Sequence, residues 1–259
     1  MIPLYHLRNS RVRGFVRAIA FLVIGFPAVA QLANVSAHLS ADEVMERVAQ
    51  MNEVRAKALE SYSSLRSYHL ECHCLSHKQA DMVVRADYQA PNKKVFTIVS
   101  ESGSGSVRNR VFKKLLEAEQ ESMREENQQR SALTPENYTF QVSDYTKTDT
   151  DEFYVLEAQP RTKNKFLFRG RVWVSTKDFA ITRVEGEPAV NPSWWTLKTD
   201  FKRSYQQIGG FWLPESNESE TKVRVFGTAV LSIEYREYHI TQAAGGGVTA
   251  SLEKPSNGQ

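Results

Sequence analysis

The segment 165–188, KFLFRGRVWVSTKDFAITRVEGEP, decides the fold because it contains two strand-forming stretches with a short polar break between them. Aromatic and β-branched residues dominate both stretches, which is typical of β-strands. The break at Lys177-Asp178 predicts a hairpin whose two strands run antiparallel. The segment therefore indicates an antiparallel sheet in the C-terminal half of the chain.

Similar strand-forming segments lie on both sides of this hairpin. SYHLECHCLS, MVVRADYQ, KKVFTIVSE, YTFQVSDYT and EFYVLEAQP precede it, and three longer strands are predicted around Leu197, Trp212 and Ile233. Successive strands joined by short turns favour an antiparallel meander, because a parallel sheet needs crossover connections of a dozen residues or more.

Two segments have the periodicity of amphipathic helices instead. The first extends from Ser40 to Tyr62, and Glu43 follows Ser40 at the spacing of a capping box. The second extends from Val107 to Arg130 after the turn ESGSGS, with Ser106 as its predicted cap. Each segment has an apolar stripe, so we expect both helices to lie against the sheet, with the charged end of the second helix solvated.

The first thirty residues predict an export signal. Four arginines precede the apolar run AIAFLVIGFPAVA, which ends in the small-residue cleavage pattern Ala28-Val29-Ala30. Gly25 and Pro27 interrupt the run, and it is shorter than the ~20 residues that a bilayer span needs. We therefore expect residues 1–30 to be a cleaved Sec-type signal peptide and the mature chain, from Gln31, to be located in the periplasm.

The mature chain is predicted to form a single β-domain, residues 31–241, followed by a disordered Gly/Ser/Pro-rich tail, residues 242–259. The full sequence has 33 basic and 30 acidic residues. Four of the basic residues belong to the predicted signal peptide, which leaves 29 basic against 30 acidic residues and a net charge of −1. This balance argues against nucleic acid as a partner.

Familiar catalytic and cofactor-binding motifs are absent from the sequence. It contains no G-x-S-x-G, H-E-x-x-H or C-x-x-C motif, and no Rossmann or P-loop glycine spacing. The acidic residues Asp149, Asp151 and Glu152 do not match an EF-hand loop, because Phe153 occupies the third ligand position and no glycine follows. We therefore expect a protein that is not an enzyme and that has no cofactor.

The stretch HLECHCLSH, residues 69–77, raises the alternative of a metal site. A helix would place His69, His73 and His77 on one face, where they could bind zinc. A strand would place only His69 and His73, with Glu71, on its exposed face. We favour the strand, and His69 and His73 remain the alternative metal ligands.

The same strand would bury Cys72 and Cys74 beside Tyr68 and Leu70. Cα atoms of strand residues two positions apart are separated by ~6.5–7 Å, which is at the limit of disulfide geometry. We therefore expect two buried thiols.

The C-terminal half is rich in aromatic side chains that alternate along the predicted strands. Such stripes form either an ordinary core or the wall of a ligand cavity, and the predicted export and covering helices favour a cavity. The candidate ligand-binding residues are Phe168, Val172, Trp195, Leu197, Phe201, Trp212, Leu231, Ile233 and Tyr235.

Four phrases resemble the bacterial outer-membrane lipoprotein-sorting superfamily, which includes the carrier LolA, the acceptor LolB and the sensor domain of RseB. The phrases are FRGRVWVSTKDFAITRVEGEP, NPSWWTLKTDF, GGFWLP and VFGTAVLSIEYREY, and the resemblance extends from about Ser40 to Ile240. It implies a mostly β fold, an unclosed antiparallel β-barrel (half-barrel) with covering helices on its concave face.

The resemblance also implies a function without covalent chemistry. Acyl chains or a lipoprotein would bind in a hydrophobic cavity for transport or sensing. The expected partners are lipid acyl chains or a lipoprotein and envelope transport or signalling proteins, with peripheral membrane contact and a monomeric chain. Two alternatives stay open, namely a metal-binding exported protein that uses residues 69–77 and an envelope scaffold without a ligand.

Overall fold

A computed structural model describes residues 38–73, 77–191, 194, 196–225 and 227–243. The predicted signal peptide, Cys74, Trp195 and residues 244–259 of the predicted tail lie outside these ranges. Within the described ranges, no helix has the length and apolarity needed to cross a bilayer.

Ten strands of the described chain form one antiparallel sheet. The strands are β1 (Leu59–His73), β2 (Lys78–Gln89), β3 (Lys93–Gly103), β4 (Tyr138–Lys147), β5 (Glu152–Pro160), β6 (Phe168–Ser175), β7 (Ile181–Pro188), β8 (Thr196–Ile208), β9 (Phe211–Val223) and β10 (Gly227–Gln242). Their spatial order is β3-β2-β1-β10-β9-β8-β7-β6-β5-β4. The predicted meander and the hairpin at Lys177-Asp178 are confirmed.

The pairing of β1 with β10 is the one contact between neighbours in the described sheet that are distant in the chain. It leaves β3 and β4, which follow each other in sequence, as the two edges. Because the described strands do not close between these edges, the sheet forms the unclosed half-barrel that the resemblance implies.

The first predicted helix is present as α1 (Ala41–Ala58), and its capping box is formed. The Ser40 backbone N–H donates to the Glu43 carboxylate (2.8 Å), and the Glu43 N–H donates to Ser40 Oγ (3.3 Å). The predicted end at Tyr62 is wrong, because Leu59 already belongs to β1. Tyr62 instead pairs with Tyr88 across the sheet, and the two rings stack at 5.1 Å.

The second predicted helix is divided into shorter turns. These are α2 (Gly105–Val107), a π-helical turn (Arg108–Phe112), α3 (Lys113–Ser122) and α4 (Glu125–Ser131). The predicted cap at Ser106 is wrong, because the N–H groups of Val107 and Arg108 both donate to the carbonyl of Ser104 at 3.1 Å. Residues 105–131 are called the covering segment below.

The helices pack on the concave face of the half-barrel. From α1, Val44, Met45 and Val48 are buried against strands β5 to β7. From the covering segment, Val107 and Phe112 are buried against β1, β2 and β10. The described residues therefore form two apolar clusters beneath the two helical elements, and a third where the start of β9 lies beside the end of β10.

A close approach of β6 and β7 yields the first prediction. Gly186 lies opposite Gly170, and a Cβ atom on Gly186 would overlap the carbonyl oxygen of Arg169. We expect Gly186→Ala to lower the free energy of unfolding by about 2 kcal/mol or more, measured by urea denaturation.

Gly105→Ala is the matched control, since its Cβ would meet only the Arg108 guanidinium at an ordinary 3.7 Å. Equal stability of the two variants would contradict the close packing of β6 on β7.

Candidate functional site

An apolar row crosses the concave face of β2, β1 and β10. Tyr68 of β1 lies opposite Met82 and Ile233, and Leu70 lies opposite Ala80 and Leu231. Directly paired residues share one face of a sheet, so these side chains are contiguous. These residues, together with Val84 of β2 and Tyr235 of β10, are called the apolar row below.

Arg66 lies within this row, between Val84 and Tyr235. Its side chain is only 2% exposed. The guanidinium carbon lies 5.2 Å from the ring centre of Phe96 and 5.0 Å from that of Tyr235. A buried cation is costly unless it is paired, so Arg66 needs an anionic partner.

Glu119 of α3 is that partner. Arg66 Nη1 donates to Glu119 Oε2 at 2.7 Å, and Lys94 Nζ of β3 donates to Glu119 Oε1 at 2.8 Å. One carboxylate of the covering segment therefore bonds to two cations of the sheet.

The electrostatics keep this group ionised. Burial alone raises the pKa of Glu119, but the charges of Lys94 and then Arg66 outweigh it, and the pKa lies below its ordinary value. Burial likewise lowers the pKa of Arg66, yet the charge of Glu119 outweighs that effect and the pKa is raised. Burial raises the pKa of Tyr235, which stays neutral beside them.

The covering segment has few deep apolar contacts of its own. Phe112 is fully buried and lies 5.9 Å from the ring of Tyr68, and Val107 is nearly as buried. No residue of α3 is buried, and Leu115 and Leu116 are only partly so. The beginning of the covering segment is therefore buried in the apolar cluster, and its later part is bound to the sheet by the ion pairs of Glu119.

Two further polar atoms lie in the same interior. Among the described residues, neither Ser64 Oγ nor Arg66 Nε has a hydrogen-bond partner, although both are buried. Ser64 and Arg66 are two positions apart on β1 and so share a face. A buried polar atom without a partner costs about 1–3 kcal/mol, which a polar group of a ligand would offset.

The predicted ligand-binding residues fall into separate places. Leu231, Ile233 and Tyr235 belong to the apolar row. Val172 is instead fully buried beneath α1. Phe168 and Phe201 meet edge to face at 5.6 Å on the border of that second cluster.

Two other predicted residues lie away from both clusters. The indole N–H of Trp212 donates to the Asp178 carboxylate (2.6 Å), which also binds Arg55 of α1 (3.1 Å). Trp212 therefore stabilises the junction between α1 and the β6–β7 hairpin. Leu197 is 51% exposed beside an irregularity in β8. Trp195 lies outside the described residues. The described members of the predicted set are therefore distributed over separate places in the fold.

One described groove, of about 620 Å³, lies on the surface of the sheet and has charged side chains at half of its lining positions. Phe201 is the one predicted ligand-binding residue that lines it. The charged lining residues are Arg171, Glu185, Asp200, Lys202, Glu218 and Glu220. Cross-strand pairing places these charges on the face opposite Val172 and Val184, outside the half-barrel.

The HLECHCLSH stretch is a strand as far as His73, as predicted. Cys72 packs against the apolar row but is disulfide-bonded, so the prediction of two buried thiols is wrong. That prediction assumed an extended strand through both cysteines, whereas β1 ends at His73, between them. His69 Nδ1 lies 2.7 Å from Asp81 Oδ1, whereas His73 lies in a group with Glu71 and His77 that does not include His69.

The cluster of Arg66, Glu119 and Lys94 was not predicted. Its one sequence signal is the alternation Tyr62, Ser64, Arg66, Tyr68, Leu70, which places an arginine on an otherwise largely apolar face of β1. Its partner, 53 residues away, has no signal in the sequence.

Solved structures show what this chain is similar to. A LolA superfamily protein from Nitrosomonas europaea is 12% identical with a TM-score of 0.36, and the match covers 78% of this chain and 93% of that chain. A putative outer membrane lipoprotein-sorting protein domain from Vibrio parahaemolyticus is 12% identical with a TM-score of 0.40, and coverage is 78% and 94%. A DUF1329 family protein from Desulfovibrio piger is 11% identical with a TM-score of 0.40, and coverage is 80% and 94%.

No family model matches the sequence, and no curated protein matches it. Among the solved structures, the LolA superfamily protein and the lipoprotein-sorting domain bear the name of the superfamily that the sequence resembles.

The buried charge cluster yields the second prediction. Glu119→Gln leaves Arg66 buried without its counter-charge, so we expect the free energy of unfolding at pH 7 to fall by about 2–3 kcal/mol in urea denaturation. Glu121→Gln is the control on the same helix, since among the described residues the Glu121 side chain pairs with the exposed Lys165 alone (3.0 Å). It should cost less than about 1 kcal/mol.

The pH dependence has a fixed sign. Because the pKa of Glu119 is lowered on folding, its stabilisation is complete above the pKa of the unfolded chain and is lost as the pH falls through the folded value. The stability difference between wild type and Glu119→Gln should therefore shrink on acidification. A difference that is absent at pH 7, or that grows in acid, would contradict the cluster.

Proposed function

We propose that this chain is an exported periplasmic protein that binds the acyl chains of a lipid or lipoprotein, without covalent chemistry, for carriage or sensing. The binding surface is the apolar row, and the covering segment is the element that moves. The observation that carries the proposal is that Glu119 of α3 pairs with the buried Arg66 of the sheet, whereas no residue of α3 is itself buried.

The row offers the right chemistry for an acyl chain. Its side chains Tyr68, Leu70, Met82, Val84 and Ile233 are buried beneath the covering segment, and they would face solvent if it moved away. An acyl chain in its place would gain about 0.8 kcal/mol for each buried methylene group. A dozen methylenes would thus outweigh the loss of contacts such as those of Phe112.

Arg66 gives the same surface a place for an anionic head group. When Glu119 leaves with the covering segment, a phosphate or carboxylate can take over its two hydrogen-bonding cations, Arg66 and Lys94. The unpartnered Ser64 Oγ and Arg66 Nε add polar positions at the same end of the row. The ligand would therefore lie with its head group at Arg66 and its tail along Tyr68 and Leu70.

On this proposal, an acyl chain reaches an apolar cluster when a helical element moves. The groove of about 620 Å³ lies outside the half-barrel, and charged side chains occupy half of its lining positions. Both apolar clusters are filled by helices in the structure. Of the two, the covering segment has the fewer buried apolar side chains, so it is the element that an acyl chain would displace.

The third prediction tests this surface with neighbouring substitutions on opposite faces of β10. Leu231 is partly buried in the apolar row, and Val230 points to the other side of the sheet. We expect delipidated wild-type protein to bind a fluorescent long-chain fatty acid saturably, with one site per chain. Leu231→Asn should weaken this binding about tenfold, or ~1.4 kcal/mol, while Val230→Asn leaves it unchanged.

Native mass spectrometry of untagged protein gives an independent readout, since a bound lipid adds mass that is lost on denaturation. Absence of both saturable fatty-acid binding and lipid mass would reject the proposal in favour of an envelope scaffold whose apolar row is ordinary core.

A further inference from the structure

The end of β1 gathers two imidazoles and a carboxylate. Glu71, His73 and His77 each offer one ligand atom, and these three atoms lie within 4.8 Å of one another. His77 Nε2 lies 2.8 Å from Glu71 Oε1, and His73 Nε2 lies 3.9 Å from Glu71 Oε2. β1 and β2 pair antiparallel with Cys72 opposite Lys78, so His77 lies near Glu71 although the two residues are six positions apart in the chain.

We propose that Glu71, His73 and His77 form a binding site for a divalent transition-metal ion, with zinc as the representative ion. Zinc bonds of ~2.0–2.2 Å in a tetrahedron require ligand atoms about 3.4 Å apart. The imidazole nitrogens of His77 and His73 lie 2.8 and 3.9 Å from the two different oxygens of Glu71, and one ligand atom of each residue lies within 4.8 Å of the other two. Side-chain rotations would bring these three atoms to the tetrahedral separation.

The side chains are free to make those rotations. Glu71 is 37% exposed, His73 is 56% exposed and His77 is 58% exposed. Three protein ligands leave the fourth position of a tetrahedral ion open to water or to an exogenous donor. The site is thus an accessible one, unlike the closed four-ligand sites that stabilise small folds.

The donor set selects the class of ion. Imidazole nitrogens suit zinc, copper and nickel, whereas calcium and magnesium prefer oxygen ligands. Cys72, the neighbour of both Glu71 and His73, is disulfide-bonded and so offers no thiolate. His69 Nδ1 is directed to Asp81 instead, and His69 is not part of the cluster.

The site is independent of the apolar row. Glu71 and His73 alternate with Leu70 and Cys72 along β1, so they lie on the opposite face of the strand. A failure to bind acyl chains would not count against the metal site, and a failure to bind metal would not count against the acyl-binding proposal.

The fourth prediction concerns zinc binding by the untagged exported protein, treated with EDTA, dialysed and kept oxidised. Isothermal titration with zinc chloride should show one ion per chain. His73→Gln and His77→Gln should each weaken the affinity at least about tenfold. His69→Gln is the matched control and should leave the affinity unchanged, and calcium chloride should give no saturable binding.

A second measurement needs no variant. In imidazole-detected NMR of wild-type protein, zinc should shift the ring resonances of His73 and His77 and leave those of His69 unaffected. No saturable zinc binding, an equal loss of affinity in His69→Gln, or zinc shifts confined to His69 would each overturn the proposal.

Discussion

The pairing of β1 with β10 is the constraint on which the rest of the structure depends. Its register extends from Leu59 opposite Gln242 to His73 opposite Thr228. Because the first and last strands are neighbours, the sheet must open between β3 and β4. The chain between those two edges is the covering segment, so its position over the concave face follows from the topology. The same pairing places Tyr235 beside Arg66.

The two helical elements are attached to the sheet by different forces. α1 buries three apolar side chains, Val44, Met45 and Val48, and its end is bound through Arg55 to Asp178. The covering segment buries Val107 and Phe112 at its beginning and depends on Glu119 further along. Apolar burial is lost only when a helix leaves the core, whereas a charge pair can exchange one anion for another. This difference is why we propose that the covering segment is the element that moves.

Local sequence patterns were sufficient for much of the fold. The alternation in 165–188 gave the hairpin, and the spacing of Ser40 and Glu43 gave the start of α1. Contacts between distant residues were not accessible in this way. The end of α1 depends on the pairing of Tyr62 with Ile240 between β1 and β10. The contact of Arg66 with Glu119 depends on the strand order, which leaves the covering segment over the concave face. A register irregularity between Thr196 and Lys198 interrupts the alternation along β8, and the predicted ligand-binding residue Leu197 is exposed.

Hydrogen–deuterium exchange with and without a long-chain fatty acid tests the movement of the covering segment most directly. We expect the ligand to increase amide exchange in residues 107–122 and to leave exchange in α1 unchanged, because an acyl chain would take the place of Phe112 and free Glu119 from Arg66. Unchanged or slower exchange in residues 107–122, in protein that has bound the ligand, would contradict displacement of the covering segment.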